Sequence, residues 1–256
     1  YEKKILNSFK NTNYKDTALL NTLEIFIECY YASQQMEKAL NIANEYEIGS
    51  KEIFGISSSN YAKSKLQQGT IEYQLGNYTN ANTAFSAAEN AYQSCHDTLT
   101  DNYLNTLSSL CVTNSILGNY DTSIKFGETY IVKEIKDGNL DLKNYGTLFR
   151  YLGTSYYYLG NYIEALKYLK LAKKATEKFI GKKTQDYFEI VDYILKTHYK
   201  LGDIESLVTD GEMLRTDIKK IKGESSMEYA HVLIAIAHGN LALGKPKIAL
   251  TLLKES

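Results

Sequence analysis

Several short patterns in the 256-residue chain carry the residue types of catalytic or ligand-binding sites. Gly239-Asn240-Leu241-Ala242-Leu243-Gly244-Lys245 matches the first seven positions of a phosphate-cradling loop. In such a loop backbone N–H groups and the lysine hold phosphates, and a following Ser or Thr holds the metal ion. Pro246 stands at that hydroxyl position, and no strand-like segment precedes the match. His231 and His238 are seven residues apart in one helical pattern. The helical rise puts them about 10 Å apart, too far to share a metal ion. His96 and His198 lie in other parts of the chain. Cys95-His96 pairs a nucleophile type with a base type, but no third member is evident. Asn77-Tyr78-Thr79 is a glycosylation sequon, which matters only in a secreted chain; no secretory pattern opens the sequence. The residues therefore point to no catalytic set, no cofactor site and no metal site. The expectation is a protein that is not an enzyme.

Composition narrows the class further. Hydrophobic residues make up 44%, too many for a disordered chain. Basic residues number 29 and acidic ones 30, a net charge of −1 without the basic excess of a nucleic-acid binder. The longest apolar runs, such as Val232 to Ala237, are far too short to cross a bilayer. Cys29, Cys95 and Cys111 are too few and scattered for a disulfide framework, which fits an intracellular, cytoplasmic setting. A single proline, Pro246, suits long uninterrupted helices.

The elements that would carry any site repeat. Leu75-Gly76-Asn77-Tyr78 recurs as Leu117-Gly118-Asn119-Tyr120 and Leu159-Gly160-Asn161-Tyr162, then as Leu201-Gly202-Asp203-Ile204 and Leu243-Gly244-Lys245-Pro246. Every step is 42 residues, and one step earlier stands a degenerate copy, Ser33-Gln34-Gln35-Met36. Tyr61, Tyr103, Tyr145, Tyr187 and Tyr229 keep the same step. Helical patterns flank each Leu-Gly anchor. The glycine predicts a positive-φ turn that closes a first helix, and the following Asn or Asp predicts a cap for a second. Asn60, Asn102, Asn144 and Asp186, each just before a landmark tyrosine, are expected to cap the first helices. Gly55, Gly181 and Gly223 are expected to end second helices. Small residues recur in two columns: Gly69, Cys111, Gly153 and Ala237 in first helices, and Ala39, Ala81, Ser123, Ala165 and Ala249 in second helices. They predict close helix–helix approach, with Cys111 a packed small residue. Leu207 breaks the second column in the fifth repeat.

This succession (small residue, aromatic, Gly-Asn-Tyr, Ala) resembles the tetratricopeptide repeat. The fourth repeat matches best, through Gly153, Tyr156, Gly160, Tyr162, Ala165 and Ala172. The 42-residue step, and Glu177-Lys178-Phe179-Ile180-Gly181-Lys182 ahead of Tyr187, resemble the longer repeats of kinesin light chains. The resemblance implies an all-α, right-handed superhelical solenoid of antiparallel helix hairpins. It spans nearly the whole chain, read as one array and as a fragment of a longer protein. The repeats run approximately 15–59, 60–101, 102–143, 144–185, 186–227 and 228–256, the last one truncated. The paired asparagines of kinesin light chains are absent: Leu66-Gln67, Ser108-Ser109, Arg150-Tyr151 and Asp192-Tyr193 stand at the matching places. The lysine and asparagine set with which chaperone-binding arrays clamp a terminal carboxylate is absent too.

In the resembled family first helices line a concave groove. One groove column then reads Tyr31, Tyr73, Ser115, Tyr157, Tyr199, Leu241, with Glu24 and Glu28 beside one end. Arg150, Glu189, Asp192, Lys196 and Lys200 lie toward the other end. Tyrosine offers apolar area and a polar tip at low entropy cost. Tyr31, Tyr73, Arg150, Tyr157, Lys196 and Tyr199 are therefore the expected partner-binding residues. The expected partner is a protein or peptide, with no nucleic acid and no membrane insertion. Two roles fit: an interaction scaffold, or a peptide-sensing regulatory array controlling an effector domain outside this segment. Lys167, Lys170, Lys174 and Lys178 form a stripe on a second helix, expected to be a solvated outer face.

Overall fold

The computed structural model describes residues 2–12, 14, 16–134 and 145–256. Among them every regular element is a helix. The chain divides into two compact units, residues 1–137 and 138–256.

The first unit holds α1 (Glu2–Asn11), α2 (Thr17–Ala32), α3 (Met36–Phe54), α4 (Ser59–Gln74), α5 (Tyr78–Ser94), α6 (Asp101–Ile116) and α7 (Tyr120–Glu134). The second holds α8 (Gly146–Tyr158), α9 (Tyr162–Phe179), α10 (Gln185–Leu201), α11 (Ile204–Lys222), α12 (Met227–Ala242) and α13 (Pro246–Glu255). Within each unit, even-numbered first helices pair with the odd-numbered helix that follows.

The turn inside each hairpin follows from one residue. Gly76, Gly118, Gly160, Gly202 and Gly244 all take φ between 71 and 80°. The glycine N–H and the next N–H fold back onto carbonyls of the helix just ended, as Gly76 to Tyr73 (3.0 Å) and Asn77 to Glu72 (2.9 Å). Gln34 occupies the same place in the first repeat and is forced to φ 59°. A side chain there costs about 1–2 kcal/mol that glycine avoids. Gln34→Gly should raise stability by about 1 kcal/mol, seen as a higher urea midpoint; an unchanged midpoint would mean that the turn carries no strain.

First helices are capped differently from the sequence expectation. The caps are Asp16, Ser58, Thr100, Thr184 and Ser226. In the last four the hydroxyl accepts from the N–H of the landmark tyrosine three residues on: Tyr61, Tyr103, Tyr187 and Tyr229. Asn60, Asn102 and Asp186 lie inside the first turn; Asn144 lies outside the described residues. A hydroxyl three residues ahead of an amide reaches it, whereas the residue just before it sits within the helix. These five caps keep the 42-residue step; α8 departs from it, beginning after Tyr145, which makes no side-chain cap bond, and Leu142 stands at that step in the sequence.

The small columns meet as expected. Ala39, Ala81, Ser123 and Ala165 are fully buried. A Cβ on Gly153 would come within 2.8 Å of Leu169 Cγ and 3.1 Å of its backbone N. Cys111 packs against Ser123, whose hydroxyl donates to the Cys111 carbonyl at 2.7 Å. Burial pushes its thiol up to about 12, so at neutral pH it remains an inert, packed thiol. Gly55 and Gly223 end α3 and α11, and Gly181 follows the end of α9.

Candidate functional site: a cleft between first helices of the second unit

The fifth repeat breaks the small-residue rule twice. Leu195 on α10 and Leu207 on α11 stand one 42-residue step after Gly153 and Ala165. Two leucines cannot approach as glycine and alanine do. The backbones of α10 and α11 accordingly approach less closely than those of the other hairpins among the described residues. The turn is nonetheless pinned by His198, which is 1% exposed. Its Nδ1 lies 3.1 Å from Asp203 Oδ2. Its Nε2 lies 3.2 Å from Asp210 Oδ2 but off the line of a hydrogen bond. A hydrogen bond from Ser206, aided by His198, holds the Asp203 carboxyl below its usual value.

A cleft of about 450 Å³ opens beside this hairpin, between α8, α10 and α12. Leu195, Leu207, Ile234 and Ala235 give it an apolar lining. Tyr157 and Tyr199 also line it, as do Lys196, Lys200, His231 and His238. Asp192 is its only carboxylate, and it takes the Lys196 ammonium at 2.6 Å. Lys200 makes no ion pair among the described residues. Tyr199 is 53% exposed; Tyr157 is half-buried, its ring 5.5 Å edge-on from Tyr193. Leu241 shares a neighbouring hollow with Tyr199 and His238.

The other groove residues are differently employed. Arg150 binds Glu189 at 2.6 Å and Asp186 at 3.4 Å and stacks over Tyr151 at 4.2 Å, tying α8 to α10 outside the cleft. In the first unit Tyr31 packs against the core between α2 and α3. Tyr73 lies half-buried with its ring 5.4 Å from Tyr78, and Ser115 is buried. Glu24 is taken up by Lys63 and by the Tyr46 hydroxyl. The second unit thus gathers Tyr157, Lys196 and Tyr199, and leaves Arg150 aside. His231 and His238, two turns apart on α12, line one wall of the cleft. The signal for the cleft was in the sequence, as leucine in both small columns of one repeat.

The motifs of chemical type dissolve into repeat architecture. The phosphate-loop match is the end of α12 and its turn: a Cβ on Gly239 would meet Leu207 at 2.6 Å, and Pro246 opens α13. His96 Nδ1 lies 3.1 Å from the Gln93 carbonyl, and Cys95 Sγ faces Ser59. The sequon amide of Asn77 donates to Glu72 at 2.8 Å. Among the described residues no cluster of three His, Cys, Asp or Glu could hold a metal ion. Nor is any helix there long and apolar enough to cross a membrane.

This is the all-α superhelical repeat fold of tetratricopeptide-like arrays, and solved structures share it. The tetratricopeptide-like repeats of a putative kinesin light chain from Podosopora anserina superpose with a TM-score of 0.62 at 14% identity, covering 77% of this chain and 94% of that one. The apo form of RapI gives 0.62 at 10% identity over 93% and 96%. A Rap protein complexed with Competence and Sporulation Factor gives 0.52 at 11% identity over 93% and 77%. No family model matches the chain, and neither does any curated protein.

Proposed function

We propose that this chain is an interaction module that binds a protein or peptide segment on the faces of its first helices, chiefly at the α8–α10–α12 cleft. The observation that carries this reading is the company of residues there. Tyr199 holds a large apolar surface half in water, above an apolar lining and beside an uncommitted Lys200. Clefts of this size, apolar with a few polar groups at the edge, suit ligand binding, and exposed tyrosines are strong contact residues.

The likeness to a Rap protein solved with Competence and Sporulation Factor favours a second reading. In it the chain is a regulatory array whose bound segment controls an effector domain elsewhere in the protein. Both readings place the ligand in the same cleft. Affinity capture with the wild-type chain and with a Tyr157→Ala, Tyr199→Ala double variant tests them together. Loss of one dominant partner, with helical content unchanged, is the expected result. Capture of the same partners by both proteins would remove the groove as the binding surface.

A further inference from the structure

Building on groove binding, we infer that the α8–α10–α12 cleft selects an acidic peptide segment, one that sets a large apolar side chain within a residue or two of an aspartate or glutamate. The apolar half of this preference comes from Leu195, Leu207, Ile234 and Ala235. Leu195 and Leu207 themselves are 3% and 2% exposed, so a side chain would rest mainly on Ile234, Ala235 and the two tyrosine rings.

The acidic half comes from charge. Two ammonium groups and two imidazoles line the cleft against a single carboxylate. Asp192 answers Lys196 only, which leaves Lys200 as the uncompensated cation. Lys196 and Lys200 are one helical turn apart, about 6 Å. An extended segment advances about 3.3 Å per residue, so acidic groups two residues apart match that spacing. His231 and His238 present polar nitrogens from the opposite wall and accept either hydrogen-bonding role. Of the cleft's own lining, only the already engaged Asp192 could receive a basic segment, which would also meet Lys200. An acidic partner answers these groups; charge complementarity of this kind sets specificity more than raw affinity.

The probe is a random heptapeptide phage library, panned on the full chain and on a Lys196→Gln, Lys200→Gln variant. Both lysines are exposed, and circular dichroism would verify that the variant keeps its fold. The wild-type chain should enrich peptides with Asp or Glu beside Leu, Ile, Phe or Tyr. A synthetic peptide from that pool should bind the variant about tenfold more weakly, since the variant loses the Lys200 charge and leaves Asp192 without Lys196, to repel an acidic peptide. Enrichment of basic or uncharged peptides, or equal binding of acidic peptides by both proteins, overturns this inference and leaves groove binding standing. A library that yields no enriched peptide overturns both.

Discussion

Gly153→Val should unfold the second unit at a much lower urea concentration than wild type. Gly153 faces α9 so closely that an added Cβ lies 2.8 Å from Leu169 Cγ and 3.1 Å from Leu169 N. The leucine side chain could turn aside, but the backbone nitrogen cannot without moving α9. Overpacking of this kind costs about 3 kcal/mol. Replacing a helical glycine by alanine returns about 1 kcal/mol through propensity. Alanine should therefore cost about 2 kcal/mol net, and valine about 3 kcal/mol or more. Gly69 makes a useful contrast, because the three atoms nearest its added Cβ all belong to the Phe85 ring, from 2.6 to 3.1 Å. A ring can rotate, so Gly69→Ala should be milder. Urea unfolding followed by circular dichroism reads these differences; a Gly153→Val midpoint at or above wild type would refute the close approach.

Tyr187→Ala should cost about 4 kcal/mol, the scale for emptying an aromatic core position. Tyr187 is 1% exposed, packs edge-on to Phe188 at 5.8 Å and donates to Glu177 at 3.1 Å. Tyr187→Phe keeps the ring and should cost only about 1 kcal/mol, the value of the lost hydrogen bond. Tyr199→Ala, by contrast, should hardly change stability. The pH dependence has a definite sign. Burial first, then nearby carboxylates, hold the phenols of Tyr46, Tyr92 and Tyr187 above their ordinary value. Below pH about 10 they are neutral in both folded and unfolded chains, so their contribution is fully present there. Above it the unfolded chain ionises first, and stability should fall as pH rises. Thermal melts from pH 8 to 11 check this; a flat profile would mean these hydroxyls are solvated.

The fold was legible because the turn demands one residue type. A positive φ of 71–80° favours glycine, and five glycines mark the step. Gln34 shows the limit of that signal: the turn forms without glycine, at φ 59°. The first-helix caps fall two residues ahead of the residues that suggest them, because asparagine is itself a good cap and only the reach of a hydroxyl to the landmark tyrosine amide separates the choices. Of the groove residues, Tyr157 and Tyr199 keep the 42-residue step and line the cleft. Arg150 could not, because whether a guanidinium faces a ligand or a neighbouring helix depends on Asp186 and Glu189 across the interface. The cleft itself comes from a pair, Leu195 with Leu207, and a single column shows only one of them.

The central claim is that recognition lies on the first-helix face of the second unit. Its most direct test places a photo-crosslinking amino acid at Tyr199 in one protein and at Lys170, an exposed position on α9, in another. Both would be irradiated in a lysate of the source cells. Crosslinking of a dominant partner from position 199, and not from 170, is the predicted result; crosslinking from 170 alone would contradict it and move the binding surface to the lysine-rich second helices.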